Sequence, residues 1–235
     1  MKRWENQLYY NKIRQAVEEF SLIKEGDRII VGISGGKDSM LLVHSLSLLQ
    51  KHLSINFDLL GVYVDEGNKN PIEQVKKTVE SMGVDFRVEM TDIKNYLDFD
   101  GKNPCYMCGR LRKGVLRRIS EEEGYNVIAL GHHMDDAVET FFMNMIYTGK
   151  LGTFLPGAES DGIRMIRPMI YVREEDIIKS VDYLKLPIME SKCPVNKKTT
   201  REEMKVLVKE LSEKYPDLRE KVVSSFKNID RLWNR

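Results

Sequence analysis

Little in this 235-residue sequence points to a membrane, an extracellular scaffold or a repetitive architecture. No apolar run is long enough to cross a bilayer, which takes about 20 predominantly apolar residues in a helix. The start, Met1-Lys2-Arg3-Trp4-Glu5-Asn6-Gln7, is polar and unlike a signal peptide, so the expected location is cytoplasmic, with no membrane partner. There are only three cysteines. An odd number in a reducing compartment argues against a disulfide framework and for metal binding or redox chemistry. The formal net charge is +1, from 37 Lys and Arg against 36 Asp and Glu, so a polyanionic partner would need a local basic patch. Repeats and low-complexity linkers are missing too. What remains, 42% hydrophobic and 31% charged residues, suits an ordinary globular protein with one sizeable core.

Periodicity alternates strands with helices. A helix is expected over 5–20, strands at 28–33, 57–64, 84–89 and 127–131, and a short last strand at 165–168. Helices are expected from Met40, from Pro71 to Gly83, from near Pro104 to about Glu122, and from about Ala137 to Tyr147. Gly149, Gly152, Pro156 and Gly157 read as a loop, and Phe141, Met143 and Met145 as core. The C-terminal part is helical over 174–184, 200–213 and beyond Pro216. This order predicts an α/β fold, a parallel sheet with helices on both faces and a small helical C-terminal extension. The expected division is an N-terminal helix (1–26), an α/β domain (27–190) and a C-terminal helical segment (191–235). Ligands of such sheets bind beyond the carboxyl ends of the strands, which brings together the 34–39 loop, Asp65 and the 132–136 stretch.

The loop Ser34-Gly35-Gly36-Lys37-Asp38-Ser39 lies between a buried strand and a helix. Backbone N–H groups at such a turn approach an anion, and the helix start adds partial positive charge. Lys37 can reach a phosphate, Asp38 can hold Mg²⁺, and Ser34 and Ser39 can donate hydroxyl hydrogen bonds. Walker A fails twice, with Val31 where its leading glycine belongs and Asp38 where Ser or Thr belongs. The stretch instead resembles the PP-loop of ATP pyrophosphatases, which split ATP between its α- and β-phosphates and adenylate a substrate. A plain Gly/Ser turn is the bland alternative.

Cys105 and Cys108 form a C-x-x-C, with Cys193 far along the chain. Spacing leaves a zinc site, a redox dithiol, a three-cysteine [4Fe-4S] cluster with one open iron, and inert buried thiols all open. The stretch Cys105-Tyr106-Met107-Cys108-Gly109-Arg110-Leu111-Arg112-Lys113-Gly114 resembles the C-x-x-C-x-R-L-R-[RK]-G of the tRNA 2-thiocytidine synthetase family. Gly131-His132-His133-Met134-Asp135-Asp136 is similar to that family's GHHxDD, and Tyr147–Lys150, Arg167-Pro168 and Glu174–Ile177 resemble further motifs in the same order. Cys193 stands where the family places its third cysteine, though the residues around it match less closely. The resemblance implies ATP, Mg²⁺ and a [4Fe-4S] cluster on Cys105, Cys108 and Cys193. It also implies sulfur delivered to C2 of a cytidine in a tRNA anticodon loop, a sulfur donor such as a cysteine desulfurase or sulfide, and a homodimer. Another tRNA pyrimidine (uridine or 5-methyluridine) is the alternative target, and a persulfide on Cys105 or Cys108 the alternative carrier.

Expected catalytic residues are Lys37, Asp38, Asp135, Asp136 and the three cysteines. Expected nucleotide contacts are Ser34, Gly35, Gly36, Lys37, Asp38, Ser39, Asp65, Gly131 and His132. The densest basic run is Arg110, Arg112, Lys113, Arg117 and Arg118, with Lys197, Lys198 and Arg201 extending it past Cys193. Beside the cysteines these side chains would guide a tRNA loop; otherwise they form a solvated face paired with Glu121–Glu123. A nucleotide sensor and a non-thiolating PP-loop ligase are the rival functions, and neither needs three cysteines.

Overall fold

The computed structural model describes residues 6–67, 71–97, 104–189 and 200–231. A π-helical turn, Asn6–Tyr10, leads into α1 (Asn11–Glu19). Then come β1 (Asp27–Ile33), α2 (Lys37–His52), β2 (Phe57–Asp65), α3 (Glu73–Ser81), β3 (Asp85–Met90) and a 3₁₀ turn at Ile93–Tyr96. The second half contributes α4 (Pro104–Glu123), β4 (Val127–Ala129), α5 (Met134–Thr148), β5 (Gly157–Ser160) and β6 (Ile163–Ile166). It ends with α6 (Glu174–Leu184), α7 (Thr200–Lys214), α8 (Leu218–Ser225) and a 3₁₀ turn at Phe226–Arg231. Among the described residues no helix is long and apolar enough to cross a membrane.

The strands form one six-stranded sheet in the order β3-β2-β1-β4-β6-β5, parallel except for the β5–β6 pair. Alternation along β1 feeds two cores. Ile29, Val31 and Ile33 face one side, with Tyr9, Ile13, Leu42 and Leu46 of the N-terminal segment and α2. Ile30 faces the other side, with Leu116 and Ile119 of α4. The sheet is therefore covered on both faces, as its near-continuous apolar strands require. A smaller cluster, Met134, Val138, Val208 and Val223, fastens α7 and α8 to α5.

Register sets the site. Val31 of β1 pairs with Ala129 of β4, so Gly131 ends up level with Ile33, at the foot of the 34–39 loop. Ile33 pairs with Tyr63, so Asp65 lies two residues further along β2. All three stretches meet where β1 has β2 on one side and β4 on the other, the switch point of a doubly wound sheet.

Two expectations are corrected. Gly157 begins β5, an antiparallel strand closed on β6 by Asp161-Gly162, whose φ values are 49° and 75°. Two consecutive residues with positive φ make the tight hairpin turn that Asp-Gly favours. Met145 is 38% exposed, because α5 extends past its packing partners in its last turns.

Candidate active site

The 34–39 loop braces itself. Ser39 Oγ accepts the Ser34 N–H at 3.1 Å and donates to Gly36 O at 3.0 Å, while the Gly36 N–H donates to Ser34 Oγ at 3.3 Å. Gly36 is extended (φ −80°, ψ 164°) and caps α2, whose first turn carries Asp38. Gly35 has φ +77°, and a Cβ there would meet Met189 Sδ at 2.7 Å. Met189 in turn donates its N–H to Gly35 O at 2.9 Å. Only glycine allows both the backbone conformation and that approach. The turn therefore brings the start of a 16-residue helix to the rim of the cavity, which Ser34, Asp38 and Ser39 line.

Lys37 and Asp38 are partly buried and paired, Lys37 Nζ lying 3.1 Å from Asp38 Oδ1 and 3.0 Å from Glu174 Oε1 of α6. Burial pulls the Lys37 ammonium down, but the two carboxylates outweigh it and hold it above its ordinary value. Asp38 Oδ1 is buried and completes no well-directed hydrogen bond. A buried carboxylate oxygen beside a phosphate-type loop, approached among the described residues by the Lys37 and His133 nitrogens, fits one ligand of a magnesium ion whose other ligands would be phosphates and water. Among the described residues, no group of three His, Cys, Asp or Glu side chains could hold a metal alone.

The stretch after β4 enters at close range. A Cβ on Gly131 would lie 3.2 Å from both the Asp38 carbonyl carbon and Ser39 N, so two backbones touch there. His132 stands beside Phe154, ring centroids 5.0 Å apart. Burial, with Arg167 and Lys113 adding to it, lowers His132 to about 4, so the ring is neutral at neutral pH. Its Nδ1 is buried without a hydrogen-bond partner. The His133 ring is buried within 3.5–3.7 Å of Asp38, Asp135 and Asp136. Burial lowers it, these carboxylates more than compensate, and its net direction is upward.

Asp135 and Asp136 differ. Asp135 is 5% exposed, its Oδ2 accepting the Glu174 N–H at 2.7 Å and its Oδ1 accepting Arg219 Nε of α8. Burial alone would raise its acid, but His133, the Glu174 N–H and Arg219 hold it well below the usual carboxylate range. Asp136 Oδ2 caps α5 through the His133 N–H at 3.0 Å, and Oδ1 takes Arg201 Nη2 of α7 at 2.6 Å. Asp136 lines the cavity; Asp135 does not.

That cavity holds about 300 Å³. Ser34, Asp38 and Ser39 form one wall, Gly131, His132 and Asp136 another, and Gly109, Arg112, Lys113 and Leu116 of α4 close it with Arg201. Cys105 and Cys108 occupy the first turns of α4 at i and i+3, Cys105 exposed and Cys108 half-buried. Cys108 Sγ is 3.4 Å from Glu66 Oε1, the atom that Arg112 Nη1 also approaches at 3.4 Å. Two thiols on one helix face fit two ligands of a cluster; Cys193, Lys197 and Lys198 lie outside the described residues.

The remaining expected residues divide by position. Asp65 is buried and accepts the Gly67 N–H at 2.7 Å, an Asx turn that ends β2. Arg110 is exposed. Arg117 pairs with Glu121 and Asp161, and Arg118 with Glu89 and Glu122, all outside the cavity lining. Glu174, Lys205, Arg219, Glu139 and Glu66 join the site although their chemistry could not be read from local sequence. Their only trace was the 174–177 motif, and the contacts are long-range.

Comparison with known proteins follows the same lines. Residues 6–211 match the PP-loop domain family. A tRNA-cytidine(32) 2-sulfurtransferase of Chromobacterium violaceum is 37% identical over 224 residues, covering 92% of this chain and 70% of that protein. Its counterpart in Syntrophotalea carbinolica is 38% identical over 224 residues, covering 92% and 86%. Among solved structures, the U34-tRNA thiolase NcsA from Methanococcus maripaludis with its [4Fe-4S] cluster has TM-score 0.77 at 23% identity, covering 95% of this chain and 79% of that one. An NH3-dependent NAD synthetase from Campylobacter jejuni has TM-score 0.52 at 16% identity, covering 97% and 93%. At those identities the two structures speak for the fold.

Proposed function

The chain belongs to the PP-loop family and, within it, to the ATP-dependent tRNA-cytidine 2-sulfurtransferases, and on that premise we propose that it thiolates C2 of cytidine 32 in the tRNA anticodon loop through an adenylated intermediate. Oxygen on a pyrimidine carbonyl is a very poor leaving group. The C2 oxygen attacks the α-phosphorus of ATP, the Pα–O bond to the β-phosphate breaks, and pyrophosphate departs. C2 then carries AMP, which a sulfur nucleophile displaces.

The residues lining the cavity and those next to it divide this work. The backbone of 35–37 and the Lys37 ammonium face the β- and γ-phosphates and stabilise the charge that develops on pyrophosphate. Asp38 would hold Mg²⁺ through its buried Oδ1, and the ion would draw negative charge off the phosphates. Neutral His132 offers a hydrogen bond without adding charge to the nucleotide. Arg112 and Lys113, on the α4 wall, meet the phosphates of the incoming tRNA. Cys105 and Cys108, with Cys193, would hold a [4Fe-4S] cluster, whose chemistry when bound would be to provide the sulfur nucleophile.

One observation carries this reading: the phosphate loop, the histidine–aspartate stretch and the helix that starts with the cysteines all line one cavity. The test is a nucleoside mass profile of tRNA from cells with and without the gene. Loss of 2-thiocytidine on deletion is expected. Loss of a different thionucleoside would move the target base, and an unchanged profile would overturn tRNA thiolation.

A further inference from the structure

Glu174 opens α6, and three fixed contacts determine where its carboxylate sits. Its N–H is held by Asp135 Oδ2 at 2.7 Å. Its Oε1 lies 3.0 Å from Lys37 Nζ, and its Oε2 lies 2.8 Å from Lys205 Nζ of α7. The side chain is 19% exposed, so the contacts are well shielded. Asp135 is in turn pinned by Arg219 of α8. The phosphate-loop lysine is thus connected to the stretch after β4, and through Lys205 to the C-terminal helices.

From this geometry we infer that Glu174 is a positioning residue for the proposed adenylation, fixing the Lys37 ammonium at the phosphate loop, with Asp135 and Lys205 fixing Glu174. An ammonium has three N–H donors. Asp38 Oδ2, at 3.2 Å, and Glu174 Oε1 take two, which leaves one directed and keeps the flexible four-carbon stem from swinging away. Electrostatics sets the sign of the effect. A carboxylate 3.0 Å from Lys37 does not attract the triphosphate, so its contribution is orientation. Orientation matters most when charge builds on the departing pyrophosphate, and an interaction realised in the transition state shows in kcat. This rests on the adenylation reading above.

The test measures tRNA-dependent pyrophosphate release by Glu174→Gln, which keeps the side-chain shape and removes the charge. The expected result is a 10- to 100-fold fall in kcat with the KM for ATP unchanged or lower, a split that a structural role would not give. Glu174→Asp restores part of the rate. Lys205→Gln, which leaves the Glu174–Lys37 pair in place, lowers kcat only two- to fivefold. A kcat within twofold of wild type, or a raised KM at unchanged kcat, would overturn the inference. A kcat lost only in step with the melting temperature, and not recovered in Glu174→Asp, would overturn it too. Because the readout is pyrophosphate, the role of Glu174 is decided separately from sulfur transfer, which the thionucleoside content of the same tRNA reports.

Discussion

Glu139 sits one helical turn beyond Asp135, 6% exposed, with Arg201 Nε 3.4 Å away. Burial, helped by the Asp136 carboxylate, raises its acid from 4.5 to about 7. The folded chain therefore holds this proton more tightly than the unfolded chain. The stability it contributes is fully present below about pH 4.5 and is lost as pH rises through about 7. Glu139→Gln should consequently be more stable than wild type at pH 8, by an amount on the order of 3 kcal/mol at about 1.4 kcal/mol per pKa unit. The gain should shrink toward zero at pH 4.5, and parallel melting curves at the two pH values would contradict the buried-acid account. The same scale separates two neighbours that look equivalent in the sequence. Asp135 and Asp136 are adjacent, yet only Asp136 lines the cavity, with its partner Arg201 beside it, while Asp135 is turned to partners 39 and 84 residues away that do not line it.

At the scale of elements, the β1–loop–α2 unit was legible because one short stretch carries all its signals: an apolar run, two glycines, and an apolar helix. The helices closed by Gly83 and Gly124 were legible for a similar reason, since each of those glycines has positive φ. What escaped notice was β5. Its residues are exposed throughout, so no apolar alternation announces it, although Asp161-Gly162 was there to be read as a hairpin turn. The ion pairs of α7 and α8 with the site were illegible because pairing across the fold leaves no local pattern. Two glycines should respond oppositely to alanine. At Gly131 the new Cβ meets backbone at 3.2 Å, which cannot yield as a side chain would, so about 1–3 kcal/mol is lost and ATP binding weakens. At Gly114, inside α4, nothing lies within 4 Å, and alanine should add about 0.5–1 kcal/mol through helix propensity. Urea midpoints check both; an unchanged Gly131→Ala would mean that the two backbones are not in contact.

For the whole molecule, a net charge of +1 leaves polyanion binding to local placement. Arg112 and Lys113 face the cavity, Arg112 with one carboxylate at 3.4 Å, whereas Arg117 and Arg118 lie outside it and are each held by two carboxylates. Replacing Arg112 and Lys113 with alanine should lower the slope of log affinity for tRNA against log salt by about 1–2. The Arg117 and Arg118 double replacement should change it less, and equal slopes for the two variants would contradict this ranking. The near-zero charge has another side, since proteins near neutrality are the ones that tend to precipitate. Here the two ends of the sheet matter. β3, at one end, carries Asp85, Arg87 and Glu89, with Arg87 and Glu89 tied into ion pairs; β5, at the other, is short, exposed and carries Glu159. Charged and abbreviated edges resist the addition of a strand from another molecule. The hairpin that the sequence barely announced thus acts as a guard against aggregation, supplying locally the colloidal protection that the overall charge does not.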